Sequence, residues 1–125
     1  MAIESSLEAI ELAKRLGDVQ AELEISEILA SVFFRLNDFQ RSEEMLRAVV
    51  NINHDRQDTV AEGIGIGKIA ELYFIQNEYV IAKSLFLEAI ERCQSLSIKV
   101  VLYASRLAYI YGVLQDLDAA YHYLE

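Results

Sequence analysis

The sequence predicts an all-α fold, an α-α superhelix or solenoid of about seven antiparallel helices. Its 125 residues contain no proline and 5 glycines, so few residues interrupt a helix. Apolar residues recur three and four positions apart, which is the period of an amphipathic helix. A longer spacing pattern returns after 40 and then 38 residues, and a period in this range is typical of stacked helix pairs.

The long period is visible in three stretches, residues 28–46, 68–86 and 106–124. In each, a small residue is followed three positions later by an aromatic one, twelve positions later by a second small one and sixteen positions later by a large apolar one. The three sets are Ala30, Phe33, Ser42 and Leu46; Ala70, Tyr73, Ala82 and Phe86; and Ala108, Tyr111, Ala120 and Leu124. Small residues let paired helices approach closely, and large ones fill the adjoining space.

The individual helices follow from this periodicity and from the polar turns between them. In order, the predicted helices cover residues 2–16, 19–36, 39–53, 58–76, 79–95, 98–114 and 117–125. Gly17 suits the end of the first helix, and the triplets LND, QNE and LQD suit tight turns between antiparallel helices. Thr59 and Glu62 have the spacing of a capping box, which predicts the start of the fourth helix.

The chain is expected to form one domain over residues 1–125. The tetrapeptide EAIE occurs at 8–11 and again at 88–91, two 40-residue periods later, so residues 2–17 correspond to the second half of an incomplete repeat. The repeats then cover 18–57, 58–97 and 98–125, the last of which stops inside a helix. Solenoids need polar capping elements, and neither end has one, so we expect a piece of a longer protein.

The charge balance limits the classes of partner. Acidic residues outnumber basic ones by 20 to 11, and the formal net charge is −9, so the surface should repel nucleic acid. No apolar run approaches the roughly 18–20 residues of a membrane span, and the acidic N-terminal stretch lacks the features of a signal peptide. The single cysteine, Cys93, fits a reducing compartment. We therefore expect a cytoplasmic protein that binds neither nucleic acid nor membranes.

The three copies resemble the tetratricopeptide repeat, and their length is similar to that of its long-helix subtype of about 40 residues. That subtype occurs in motor light chains, cell-polarity adaptors and bacterial signalling proteins. The resemblance is carried by the small, aromatic and small positions, Ala30, Phe33 and Ser42 in the first copy. The family's early tryptophan and late proline are missing, since the chain contains neither residue type. The resemblance implies a right-handed superhelix whose concave face binds protein partners.

The resemblance also implies which residues line that concave face. Carried over position by position, they are Glu24, Glu27, Ser31, Phe34 and Arg35 from the first repeat, Gly67, Glu71 and Phe74 from the second, and Ser105 and Tyr109 from the third. Because this surface combines small residues, aromatic anchors and three carboxylates, the expected partner is a protein or peptide with apolar anchors and some basic residues. The alternative is that these are only exposed or packed helix positions without a natural ligand.

The stretch EGIGIGK places three glycines at alternate positions before a lysine. A phosphate-binding loop needs a different spacing and a Ser or Thr after the lysine, and a dinucleotide-binding motif needs a glycine where Lys68 stands. We therefore expect these glycines within a helix. Gly63 and Gly65 should let neighbouring helices approach closely, and Gly67, on the geometry of the family, should leave room for a ligand.

No catalytic, metal-binding or cofactor-binding set is predicted. His54 and His122 are far apart in sequence, and no cluster of carboxylates lies beside either at metal-ligand spacing. Cys93 has no His or Lys beside it in sequence, so we expect a buried structural thiol rather than a nucleophile. We expect no enzymatic activity and no cofactor.

These expectations favour a non-catalytic scaffold for protein–protein interaction. The resemblance implies, more narrowly, the regulatory or sensory segment of a larger bacterial signalling protein. The alternative is a self-association module that dimerises its parent protein through the concave face or through uncapped ends. At the C-terminal end, the apolar residues for such a contact are Leu117, Tyr121 and Leu124.

Overall fold

Consecutive α-helices make up the computed structural model, which describes residues 2–93, 98–114 and 122–124. The helices are α1 (Ala2–Leu16), α2 (Val19–Arg35), α3 (Phe39–Asp55), α4 (Thr59–Ile75), α5 (Tyr79–Cys93) and α6 (Ile98–Val113). Residues 122–124 are also helical and lie within the seventh predicted helix. All the extensive contacts between helices join neighbours along the chain, which is the arrangement of an α-solenoid. The predicted all-α solenoid is confirmed.

The helix bounds that lie inside the described residues differ from the predicted ones by two residues at most, whereas the predicted end of the fifth helix at residue 95 lies outside those residues. The agreement is good because glycine or polar turn residues end α1 to α4. No strand forms in the described residues, and none of the helices there is long and apolar enough to span a membrane.

The turns that follow α1 to α4 share one backbone geometry. Each contains a residue in the left-handed region, with φ of 70° at Gly17, 59° at Asn37, 59° at Gln57 and 63° at Asn77. The amide of the next residue then reaches back to a carbonyl in the last turn of the preceding helix, as Asp18 does to Ala13 at 2.9 Å. This is the Schellman arrangement, which satisfies carbonyls left free at a helix end. Because the four turns are 20 residues apart, two helix–turn units give the 40-residue repeat.

An aspartate begins each of three helices. The side chains of Asp18, Asp38 and Asp58 accept hydrogen bonds from the backbone amides three residues later, at 3.1, 3.2 and 3.1 Å. These N-caps satisfy amides that have no partner within the helix. The capping box predicted at Thr59 is therefore wrong: Asp58 caps α4 one residue earlier, and Glu62 points elsewhere.

The small residues of the repeat bring paired helices into close contact, as predicted. Ala70 of α4 and Ala82 of α5 are both 0% exposed. At the equivalent places in α2 and α3, the Ser42 hydroxyl donates to the carbonyl oxygen of Ala30 at 2.8 Å. Around these contacts a core runs through α2 to α6, and its larger buried members are Leu46, Ile66, Ile69, Leu72, Phe86, Tyr103, Leu107 and Ile110.

Two of the three glycines of α4 serve close helix packing, which confirms the expectation for them. A Cβ on Gly63 would lie 2.8 Å from the Cys93 sulfur of α5, and one on Gly65 would lie 2.7 Å from a methyl carbon of Val50 in α3. Both distances are shorter than van der Waals contact. The absence of these side chains therefore lets α4 approach helices on both sides.

Candidate functional site

A groove of about 390 Å³ lies between α2 and α4 and is floored in part by α3. We call it the α2–α4 groove. Its lining includes five residues that were predicted for the concave face: Glu27, Ser31, Phe34, Arg35 and Glu71. Its other lining residues are Ala30, Ser42, Leu46, Lys68 and Leu72. Two repeats thus place their predicted residues around one cavity.

The α2–α4 groove has an apolar floor and a charged rim. Ala30, Leu46 and Leu72 are buried beneath it, whereas Arg35 and Lys68 on the rim are exposed. A second cavity of about 120 Å³ shares Glu27, Leu46 and Lys68 with the groove and continues it towards the start of α4, lined also by Val49, Asn53, Ala61, Ile64 and Gly65. Such a floor can take apolar side chains while the rim meets polar groups.

An arginine from α6 forms an ion pair with one of the predicted carboxylates. Arg106 donates from Nε to Glu71 Oε1 at 3.0 Å, and its guanidinium carbon lies 4.9 Å from the centroid of the Phe74 ring. The Phe74 ring in turn lies 5.5 Å from that of Tyr109. Three predicted residues, Glu71, Phe74 and Tyr109, are therefore brought together, but Arg106 neutralises the carboxylate among them.

The rim of the groove carries charges of both signs. Glu24 and Glu27 are exposed, and Glu24 accepts a hydrogen bond from the Gln20 amide at 3.0 Å. Neither they nor Arg35 and Lys68 make an ion pair within the described part of the chain. The lining of the groove thus offers one carboxylate without an ion pair, Glu27, and two cations, Arg35 and Lys68, because Glu24 lies outside the lining and Glu71 pairs with Arg106.

The sequence analysis missed Lys68 and Arg106 as residues of this surface. Both stand directly before the apolar–Ala pair of their repeat, as Ile28 does in the first copy. Each of the two has the same place in its repeat and lies one position after a predicted concave residue, so the repeat alignment could have identified them.

Gly67 does not leave room for a ligand, and that prediction is wrong. Gly67 is buried, and a Cβ placed on it would overlap the phenol ring of Tyr103 from α6. The Tyr103 hydroxyl donates to the carbonyl oxygen of Ile64 at 3.5 Å, and burial, with smaller contributions from Cys93 and Glu71, raises the pKa of Tyr103 to about 12. The space beside Gly67 is occupied by the protein itself.

The remaining predicted site residues lie away from the α2–α4 groove or outside the described residues. Ser105 is exposed on α6. At the C-terminal end Leu124 is exposed, and next to it Tyr123 stacks on Tyr111 with centroids 5.7 Å apart. Leu117 and Tyr121 lie outside the described residues.

Among the residues that the structure describes, the buried carboxylate is Glu62 in α4, and it links three helices. Its Oε2 lies 3.1 Å from His54 Nδ1 of α3 and 3.6 Å from Arg92 Nε of α5. Arg92 also pairs with Glu88 at 2.9 Å. This cluster joins helices of adjacent repeats, and within the described residues no three His, Cys, Asp or Glu side chains converge as metal ligands.

Cys93 has the environment of a structural thiol. It is buried, its sulfur lies 3.8 Å from the carbonyl oxygen of Val60, and burial raises the pKa of the thiol. A raised pKa leaves little of the reactive thiolate at neutral pH. The expectation of a buried thiol is confirmed.

Comparison with known proteins shows the fold and nothing finer. Neither a protein-family model nor a curated protein sequence matches the chain. Among solved structures, it is similar to the crystal structure of BtubC (BKLC) from P. vanneervenii, with a TM-score of 0.77 and 23% sequence identity. The likeness covers 97% of this chain and 52% of that one, so this chain spans about half the length of that structure. At this identity the likeness supports an all-helical, repeat-like architecture.

Proposed function

We propose that this chain is a non-catalytic protein-interaction domain whose α2–α4 groove binds a segment of a partner protein. The observation that carries the proposal is the convergence of five predicted concave residues, from two repeats, around one cavity of about 390 Å³ with an apolar floor. A concave, mostly apolar cavity with a few polar groups at its rim is the usual form of a binding site.

The lining determines the chemistry that a partner needs. An apolar side chain would lie on Ala30, Leu46 and Leu72, beside the exposed edge of Phe34. A basic residue of the partner would face Glu27, where the carboxylate has no ion pair within the described residues. Lys68 and Arg35 add a place for an acidic group, so the partner segment combines an apolar anchor with charges of both signs.

The finer assignment to the tetratricopeptide repeat, long-helix subtype, belongs to this proposal. It is supported by the hydrogen bond from Ser42 to Ala30 and by the complete burial of Ala70 and Ala82, at the positions where that family has small residues. A role as the cytoplasmic regulatory segment of a larger bacterial signalling protein is also proposed, and it rests on the resemblance alone.

A displayed peptide library tests the groove directly. Peptides selected on the 125-residue chain would be measured by fluorescence anisotropy against Ser31→Trp, which fills the groove from an exposed position, and against Gln40→Ala, an exposed change on α3 outside it. We expect Ser31→Trp to weaken binding about tenfold or more and Gln40→Ala to leave it unchanged. Selected peptides that bind both variants equally well would rule out the groove as the site.

Self-association is the second candidate function, and exposed apolar residues near the C-terminal end favour it. Val101 and Val113 of α6 are exposed, as are Leu114, which follows α6, and Leu124. Light scattering over a wide concentration range tests this candidate. A dimer that Leu124→Glu converts to a monomer would support it, and a strict monomer would contradict it.

A further inference from the structure

The solvent-facing side of α5 is apolar where the same side of α3 is polar. One repeat of 40 residues separates the two helices, so each position on α3 has a counterpart on α5. Gln40, Arg41, Glu44 and Arg47 correspond to Val80, Ile81, Ser84 and Leu87, and all of them are exposed. Because both helices have the same place in their repeats and all eight residues are exposed, burial among the described residues does not account for the difference.

The four exposed residues of α5 lie next to one another along the helix, and we call them the α5 stripe. Val80, Ser84 and Leu87 follow each other at steps of four and three residues, which places them on one helix face, and Ile81 lies beside them. Val80 is 65% exposed, Ile81 45% and Leu87 36%. Scattered apolar residues on a surface are ordinary, but an aligned strip is typical of an interaction site.

Unpaired carboxylates stand at both ends of the α5 stripe. Glu91 continues the line one turn beyond Leu87, and Glu78 directly precedes the helix. Both are exposed, and neither makes an ion pair within the described residues. A partner segment that lies along the α5 stripe therefore meets negative charge at each end.

The cations of α5 are engaged away from the stripe. Arg92 pairs with Glu88 at 2.9 Å and lies 3.6 Å from Glu62. The amine of Lys83 lies 5.7 Å from the centroid of the Tyr111 ring. The net charge around the α5 stripe is thus negative.

We propose that the α5 stripe binds an amphipathic α-helix of a partner protein, whose apolar ridge lies along Val80, Ser84 and Leu87 and whose flanking lysines or arginines face Glu78 and Glu91. A helix fits because its own ridge has the same steps of three and four residues. The small Ser84 leaves a gap between Val80 and Leu87 that a partner side chain can enter.

A second copy of the chain is a poor occupant of this surface. Two α5 stripes packed antiparallel would bring Glu91 of one copy against Glu78 of the other, and each chain carries a net charge of −9. The stripe shares no residue with the α2–α4 groove, so the inference goes beyond the proposed function and can fail or succeed independently of it.

The chain supplies its own control for the experiment. The graft variant Val80→Gln, Ile81→Arg, Ser84→Glu and Leu87→Arg gives α5 the exposed residues that α3 already tolerates at the same positions. A displayed library of amphipathic helices, with flanking positions varied among Lys, Glu and Gln, would be selected on the unmodified 125-residue chain. Circular dichroism of the graft variant would verify that it folds.

We expect the selected helices to carry Lys beside their apolar ridge and to bind the unmodified chain about tenfold or more tightly than the graft variant. Binding should be unaffected by Ser31→Trp in the groove. The proposal is overturned if no helix is selected, or if the selected helices carry Glu beside their apolar ridge. It is also overturned if these helices bind the graft variant with equal affinity, or if Ser31→Trp abolishes their binding. It is overturned as well if light scattering shows a dimer that the graft variant converts to a monomer, because the occupant is then a second copy.

Discussion

Tyr103 of α6 occupies the space that a side chain on Gly67 of α4 would need. Tyr103 is 2% exposed, and its ring lies 5.6 Å from that of Phe86 in α5. The ring is therefore enclosed and has little room to move aside. The missing side chain at Gly67 allows a residue of α6 to reach α4, which ties the second repeat to the third.

Replacing Gly67 should destabilise the protein even though alanine is the better helix former. Gly67→Ala gains about 1 kcal/mol of helix propensity, but the added methyl group overlaps Tyr103, and overpacking of this kind costs about 1–3 kcal/mol or more. Because the overlap with the enclosed ring is severe, the cost lies in the upper part of this range, and we expect a net loss of about 1–2 kcal/mol in the free energy of unfolding, measured by urea titration with circular dichroism.

Gly112→Ala is the matched control for that variant. Gly112 lies in α6, is exposed, and has no atom within 4 Å of a Cβ placed on it. This change should leave stability unchanged or raise it by up to about 1 kcal/mol. If Gly67→Ala behaved in the same way as Gly112→Ala, Tyr103 would not be held in place as described.

Glu62 should contribute far more to stability than an exposed acid. It is 7% exposed and lies between His54 and Arg92, so Glu62→Gln removes a buried negative charge that contacts both side chains, although the His54 side chain itself is exposed. We expect a loss of about 1–3 kcal/mol in the free energy of unfolding. Glu11→Gln, which breaks the exposed pair with Lys14 at 3.7 Å, should cost less than about 0.5 kcal/mol. Equal losses in the two variants would show that Glu62 is solvated in solution.

Stability should fall in alkaline solution. Burial raises the pKa of the Cys93 thiol, and it raises the pKa of Tyr103 from 10.0 to about 12. The pKa of Tyr73 is raised mainly by its hydrogen bond to Glu43 and then by burial. In the unfolded chain these three side chains lose their protons at lower pH than in the folded chain. In this alkaline range the folded state therefore holds more protons than the unfolded state. The free energy of unfolding should therefore decrease as the pH rises above about 9 and continue to decrease towards about 12.

The tyrosine part of this effect can be isolated with Tyr103→Phe. The variant removes the hydroxyl and leaves the ring, so its free energy of unfolding should depend less on pH between about 10 and about 12 than that of the unmodified chain. Urea titrations at a series of pH values measure both slopes. Identical slopes would show that Tyr103 titrates in the folded protein as it does in the unfolded chain.

Gln57 is the residue least suited to its place in a turn. Its φ of 59° lies in the left-handed region, which glycine and asparagine tolerate better than glutamine does. Gln57→Gly should raise the free energy of unfolding by about 0.5 kcal/mol, since the relief of strain exceeds the added chain entropy. The same substitution at Gln40, within α3, should lower it by about 1 kcal/mol. A loss of stability at both positions would contradict the turn geometry.

Local sequence was enough to predict where the helices lie. The turn after each of α1 to α4 contains a polar residue or glycine that takes a positive φ, and such residues act on their own segment of chain. The small residues of the repeat, such as Ala30 and Ser42, predicted which helix faces meet because their spacing is constant along the chain. These features need no knowledge of distant residues.

The candidate site was predictable only in part. Glu27, Ser31 and Phe34 share one face of α2, so helical geometry alone places them together at the groove. The ion pair of Glu71 with Arg106 joins residues 35 apart in sequence, and it changes the charge that a partner would meet. Spacing within one helix could not predict that pair.

The sequence by itself determined the all-α class, the 40-residue period and the helix bounds, because helix propensity, turn chemistry and apolar periodicity act within a few residues. Tertiary structure alone decided which predicted positions remain open to a partner. Gly67 is filled by Tyr103, and Glu71 is neutralised by Arg106, because α6 brings both side chains to α4 from the next repeat. Whether a residue is covered depends on the size and charge of side chains that pack against it from elsewhere in the chain.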